Sequence, residues 1–146
     1  MAYYRGEPAR ARWLADDALT RFRRLDFDEG TAWALNIIGL IEHHDGAPGR
    51  AVDALGASLR LHCALGDRWR AASVLEALAG VLAVGPDAST AAELIAAAAA
   101  IRVAIGTPVP PQERPAWDST MAALREAFER ARPVRGAHPR RGPAAE

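Results

Sequence analysis

The sequence predicts an all-α fold, an α-solenoid of antiparallel helix pairs closed by a C-terminal capping helix. Three observations carry that expectation. Apolar residues recur at helical spacing along most of the chain, and no stretch reads convincingly as a strand. The helical stretches are separated by short turns rich in glycine and proline, such as Asp45-Gly46-Ala47-Pro48-Gly49 and Gly85-Pro86-Asp87. The chain also matches itself when shifted by forty residues.

The pair between Gly30 and Gly66 organises the rest. Its first helix carries Trp33, Leu35, Ile37, Ile38, Leu40 and Ile41, while Ala34 and Gly39 leave small gaps where a second helix can approach. In the turn that follows, glycine supplies a helix-ending positive φ, and Pro48 pre-sets the first turn of the next helix. That helix recovers the period at Ala51, Val52, Leu55, Leu59 and Leu61, and Leu65-Gly66 closes it. Two amphipathic helices on so short a loop must pack antiparallel. The same unit recurs on both sides. Gly6, Pro8, Arg10 and Ala11 fall on Gly46, Pro48, Arg50 and Ala51. Leu35, Ile38 and Gly39 fall on Leu75, Leu78 and Ala79, and Ala51, Leu55 and Ser58 fall on Ala91, Ile95 and Ala98.

Taken in order, residues 1–26 read as a truncated repeat. Ala2–Gly6 aligns with the end of the first helix of the next unit, so Met1 is expected to lie inside a longer array whose N-terminal face is open to self-association. Residues 8–24 form the second helix of that unit, with Trp13, Leu14, Ala18, Leu19, Phe22 and Leu25 expected to face the next pair. Full repeats follow at 27–66 and 67–106. Asp67 caps a helix over about 68–84, and Thr90-Ala91-Ala92-Glu93 has capping-box spacing for one over 90–105, with Ser89 or Asp87 as alternative caps. The apolar run inside that last helix is bounded by Glu93 and Arg102, well short of the roughly 20 residues that span a bilayer. Thr107–Pro111 is a stiff extended linker. Trp117, Met121, Leu124 and Phe128 mark a capping helix over 112–131, completing a repeat domain of residues 1–131. Residues 132–146 lack an apolar period and read as a disordered tail.

The small-and-large pattern at Leu35, Ile38, Gly39, Ala51 and Ser58 is similar to that of the tetratricopeptide repeat (TPR), with a longer period. Residues 2–41, 64–83 and 104–128 also look like the C-terminal helical repeats of large bacterial ATPase-type transcriptional regulators of the LuxR and antibiotic-regulatory groups. That resemblance implies a TPR-like region that follows a nucleotide-binding module and regulates it.

Composition narrows the function. The 18 basic residues, all arginine, balance 18 acidic ones, so no global field favours nucleic acid. Without lysine the phosphate-binding P-loop cannot be built, and no cofactor is implied. One cysteine excludes an internal disulfide and fits a reducing cytoplasm. Residues 1–6 do not resemble a signal peptide. His43, His44, His62 and Cys63 are the clustered metal-type residues, but adjacent positions on a helix diverge by about 100°. The expectation is a buried cysteine with surface or groove histidines and no metal. No nucleophile stands beside a credible base. Arg132, Arg135, Arg140 and Arg141 form a basic tail, which reads as solvated rather than DNA-binding.

The candidate surface is the groove lined by the first helix of each pair. It should present Trp33, Asn36, Leu40, His43 and His44 from one unit and Ser73, Glu76 and Gly80 from the next, with Tyr3 and Tyr4 as the equivalents of His43 and His44 in the truncated unit. Such a groove suits an extended peptide or a helix of a protein partner. The reading is therefore a non-catalytic interaction or regulatory scaffold that binds neither membrane nor DNA directly. The alternatives are a small helical enzyme using groove acids and histidines, or a nucleic-acid-binding accessory module.

Overall fold

A computed structural model describes residues 7–133. Tyr3, Tyr4, Arg135, Arg140, Arg141 and nearly all of the tail lie outside the described residues. The described chain is all-α, with no strand, and runs α1 (Pro8–Arg24), α2 (Asp28–His44), α3 (Pro48–Ala64), α4 (Arg68–Leu82), α5 (Ala88–Ile105) and α6 (Arg114–Ala131).

The first five helices start twenty residues apart, at Pro8, Asp28, Pro48, Arg68 and Ala88. One turn chemistry sets that spacing. Asp26, Gly46, Gly66 and Gly106 all take positive φ, between 49° and 75°. After each, the next N–H reaches back to a carbonyl of the closing helix: Phe27 to Phe22, Ala47 to Glu42, Asp67 to His62 and Thr107 to Arg102, at 2.9–3.1 Å. This is the Schellman closure, which satisfies carbonyls orphaned at a helix end and turns the chain sharply. Position 86, where the next such residue would stand, is Pro86, whose ring forbids positive φ. There α4 stops at Leu82, short of the expected residue 84, and a wider turn leads to α5.

Other local expectations fare differently. Asp67 does cap α4, accepting the Arg70 N–H at 3.0 Å. Of the candidate caps for α5, Asp87 stands at the N-cap ahead of Ala88, without a side-chain cap bond, and the box at Thr90–Glu93 is not used. The face that α1 turns to α2 is made of Ala11 and Ala15, which pack with Ile37 and Ile41. Trp13, Leu14 and Leu25, expected to face the next pair, are exposed. Two alanines one turn apart let helix backbones approach closely, and that displaces the larger side chains to the flank.

Each helix packs on its neighbours in sequence, most broadly α2 on α3 and α4 on α5, while α4 also touches both α2 and α6. The core is accordingly a series of clusters rather than one centre. Ala51 and Leu55 of α3 meet Val74, Leu78 and Val81 of α4, and Ala79, Ala83 and Ala91 surround Leu124 of α6. Gly39 marks the closest approach in the first full pair. A Cβ there would stand 2.5 Å from Leu55 Cγ and 3.2 Å from the Leu55 backbone nitrogen. By length and composition alone, α5 is long and apolar enough to cross a membrane. Its buried positions nevertheless include Arg102.

Candidate functional site

The alternate helices α2, α4 and α6 enclose a cavity of about 230 Å³, and α1, α3 and α5 contribute nothing to its lining. From α2 come Asn36, Leu40 and His43, at the spacing that puts residues on one helix face. Ser73, Glu76, Ala77 and Gly80 come from α4 by the same rule. The third wall is α6 and the turn before it, with Glu113, Ala116, Trp117 and Thr120.

Behind the α4 wall lies an ion pair. Arg102 of α5 donates from Nε to Glu76 Oε1 at 2.9 Å and from Nη2 to Glu76 Oε2 at 2.8 Å. Nη2 also donates to Ser73 Oγ at 2.9 Å. Arg102 is 5% exposed and Glu76 9%, so this forked pair is nearly dry. The hydrogen bonds that Arg102 donates to Glu76 hold the guanidinium more firmly protonated than usual. Glu113 stands 3.7 Å from Arg102 Nη2, beyond hydrogen-bond length. Burial pushes its carboxyl above the usual range, against the pull of Ser73 and Arg102. Two polar atoms in this region have no partner: Arg102 Nη1 and Asn36 Oδ1.

Several expected site residues are brought together and others are not. Asn36, Leu40, His43, Ser73 and Glu76 line the one cavity. Trp33 instead packs on the α1–α2 cluster. His44 is exposed and bonds Asp45 Oδ1 at 3.2 Å. Glu76 faces the cavity with both oxygens already held by Arg102, so it is a neutralised wall rather than a free acid. His43 is pushed below the usual imidazole value by burial, with a smaller push from His44. His62 and Cys63 reverse the expected arrangement: His62 is 1% exposed, whereas Cys63 is exposed. Position 62 sits forty residues before Arg102 in the column that points inward, which position 63 does not share. His62 Nδ1 has no hydrogen-bond partner, and Asp67 Oδ2 lies 3.7 Å away. Among the described residues no three His, Cys, Asp or Glu side chains converge as a metal site.

Sequence reasoning missed Arg102, Glu113, Trp117 and Glu42. Glu42 is buried between Arg12 and Arg50, which donate to its two oxygens at 2.9 and 2.7 Å. A signal for Arg102 was present, since the forty-residue shift carries Asn36 onto Glu76 and His62 onto Arg102. Both columns are polar in both units. Glu113 and Trp117 left no such trace, because the eight residues between α5 and α6 break the register.

Ser73 is held by a guanidinium, which cannot accept a proton. No protein-family model, curated protein or solved structure matches the chain.

Proposed function

We propose that the chain is a TPR-like solenoid of antiparallel helix pairs whose groove holds a peptide or helical segment of a protein partner. The unit is non-catalytic and works by presenting one face. The observation that carries this reading is the selective lining: α2, α4 and α6 build the cavity, and α1, α3 and α5 stay out of it. Contact of α4 with both α2 and α6 supports it, because a stack of pairs brings alternate helices side by side along one concave surface. The resemblance to helical repeats of bacterial ATPase-type regulators adds a context. There the module would sit in the cytoplasm and pack against, or restrain, a regulatory unit.

The test is selection from a displayed random peptide library, followed by NMR mapping on the isotope-labelled chain. Selected peptides should shift resonances of Asn36, Leu40, Ala77 and Trp117. Ala116→Trp fills the cavity from an exposed lining position, and it should abolish binding while leaving the helical circular dichroism intact. Peptides that map to α1, α3 and α5, or that bind the Ala116→Trp variant equally well, would overturn the reading.

A further inference from the structure

The cavity has more carboxyl groups than cations to pair with them. Glu76 and Glu113 line it, and the single guanidinium of Arg102 serves both. Arg102 bonds Glu76 twice and Ser73 once, but remains 3.7 Å from Glu113. The other ionisable lining group, His43, is kept neutral at pH 7 by burial. Glu113 is therefore the lining carboxyl without a cation of its own. Asn36 Oδ1 is a second acceptor in the lining, buried and without a donor. Trp117 lines the same space and offers an aromatic ring. The volume, about 230 Å³, falls below the roughly 300–1,000 Å³ of sites for drug-sized ligands. It suits one long side chain.

We propose that this cavity receives a single cationic side chain, arginine or lysine, from the bound segment. The proposal rests on the groove reading above and names the chemistry that the groove selects. A guanidinium or ammonium group supplies a cation for Glu113 and a donor for Asn36, and the Trp117 ring adds a cation–π contact. An acidic side chain would add a third carboxyl beside Glu76 and Glu113, and an apolar one would leave Asn36 Oδ1 buried and unpaired.

The experiment uses three capped alanine peptides that differ at their central residue: arginine, norleucine or glutamate. Each is titrated into the full labelled chain while the Trp117 indole and Asn36 amide resonances are followed. The arginine peptide should saturate both signals at least about tenfold more tightly than the norleucine peptide. In Glu113→Gln that advantage should vanish while norleucine binding is unchanged. Equal or tighter binding of the norleucine or glutamate peptide to the unaltered chain overturns the cation assignment and leaves the groove standing. So does silence from all three when library-selected peptides still shift the cavity. If no peptide of either set moves these resonances, both readings fall.

Discussion

Asn36 and His62, on α2 and α3, stand in the columns that Glu76 and Arg102 occupy forty residues later on α4 and α5. In the later pair the two residues are joined by forked hydrogen bonds of 2.8 and 2.9 Å. In the earlier pair Asn36 Oδ1 and His62 Nδ1 are each buried without a partner. A third member of the second column is Phe22, which meets Phe27 edge-on at 5.4 Å between ring centres. One backbone position thus carries a phenyl ring, an imidazole and a guanidinium in turn. The repeat transmits where a side chain points and how much room it has. It does not transmit charge or hydrogen-bonding type, so each unit must find its own partner for whatever group it buries. A neutral group left unpaired costs about 1–3 kcal/mol, which a fold can absorb. A lone buried charge costs several times more, which is why Glu76 and Arg102 occur together.

Breaking the charged pair should produce the largest difference between the two units. Arg102→Met strands the Glu76 carboxylate, and the expected loss is about 3–5 kcal/mol in urea unfolding. Adding Glu76→Leu should restore most of it, since two apolar residues need no partner. A loss below about 1 kcal/mol in the single variant would place the pair in water, as a surface bridge.

Packing at the small column gives the next effect. Gly39 faces Leu55 so closely that Gly39→Ala should cost about 1–3 kcal/mol by overcrowding, despite the better helix propensity of alanine. Its counterpart, forty residues on, is already Ala79, fully buried. Ala79→Gly should therefore also destabilise, by about 1 kcal/mol, through backbone entropy. Opposite substitutions that both weaken the fold would show that the two positions share a direction but not a depth. Stabilisation by Gly39→Ala would dissolve that distinction.

Acid gives the smallest and most selective contrast. Burial pushes His62 below its usual value of 6.5, with Asp67 pulling weakly the other way. The unfolded chain then binds a proton that the folded chain refuses. Stability is complete above pH 6.5 and declines as pH falls from there toward the lowered folded value, by at most about 1.4 kcal/mol per pH unit. His62→Phe, which borrows the residue at position 22, should flatten this part of the profile. Glu113 works in the opposite sense. Its raised value makes the folded state lose stability as pH climbs above 4.5, and Glu113→Gln should remove that loss. Urea midpoints measured across pH for the three chains separate the two contributions. An unchanged acid limb in His62→Phe would assign the proton elsewhere.

The helices and their turns were legible because both are local properties. Glycines at 46, 66 and 106 stop helices through their own φ, and Pro48 starts one through its own ring. The cavity was half legible. Asn36, Leu40, His43, Ser73 and Glu76 share faces that helical spacing makes visible. The third wall was hidden, because α6 follows an irregular connection and nothing in its sequence says which neighbour it meets.

By itself the sequence determined where the chain turns, through interactions among residues at most five apart. It also marked the small positions Gly39, Ala51, Ser58 and Ala79, through their recurrence at forty residues. Tertiary structure alone decided that Ala11 and Ala15 would form the inner side of α1, leaving Trp13 outside. It also decided that Glu76 would be neutralised from 26 residues away, and that α6 would complete the cavity. Each of those outcomes depends on which of several competing faces comes to rest against a distant helix. That is settled by the packing of whole helices, where the fit of small residues and the pairing of buried charge outweigh the preferences of any single stretch.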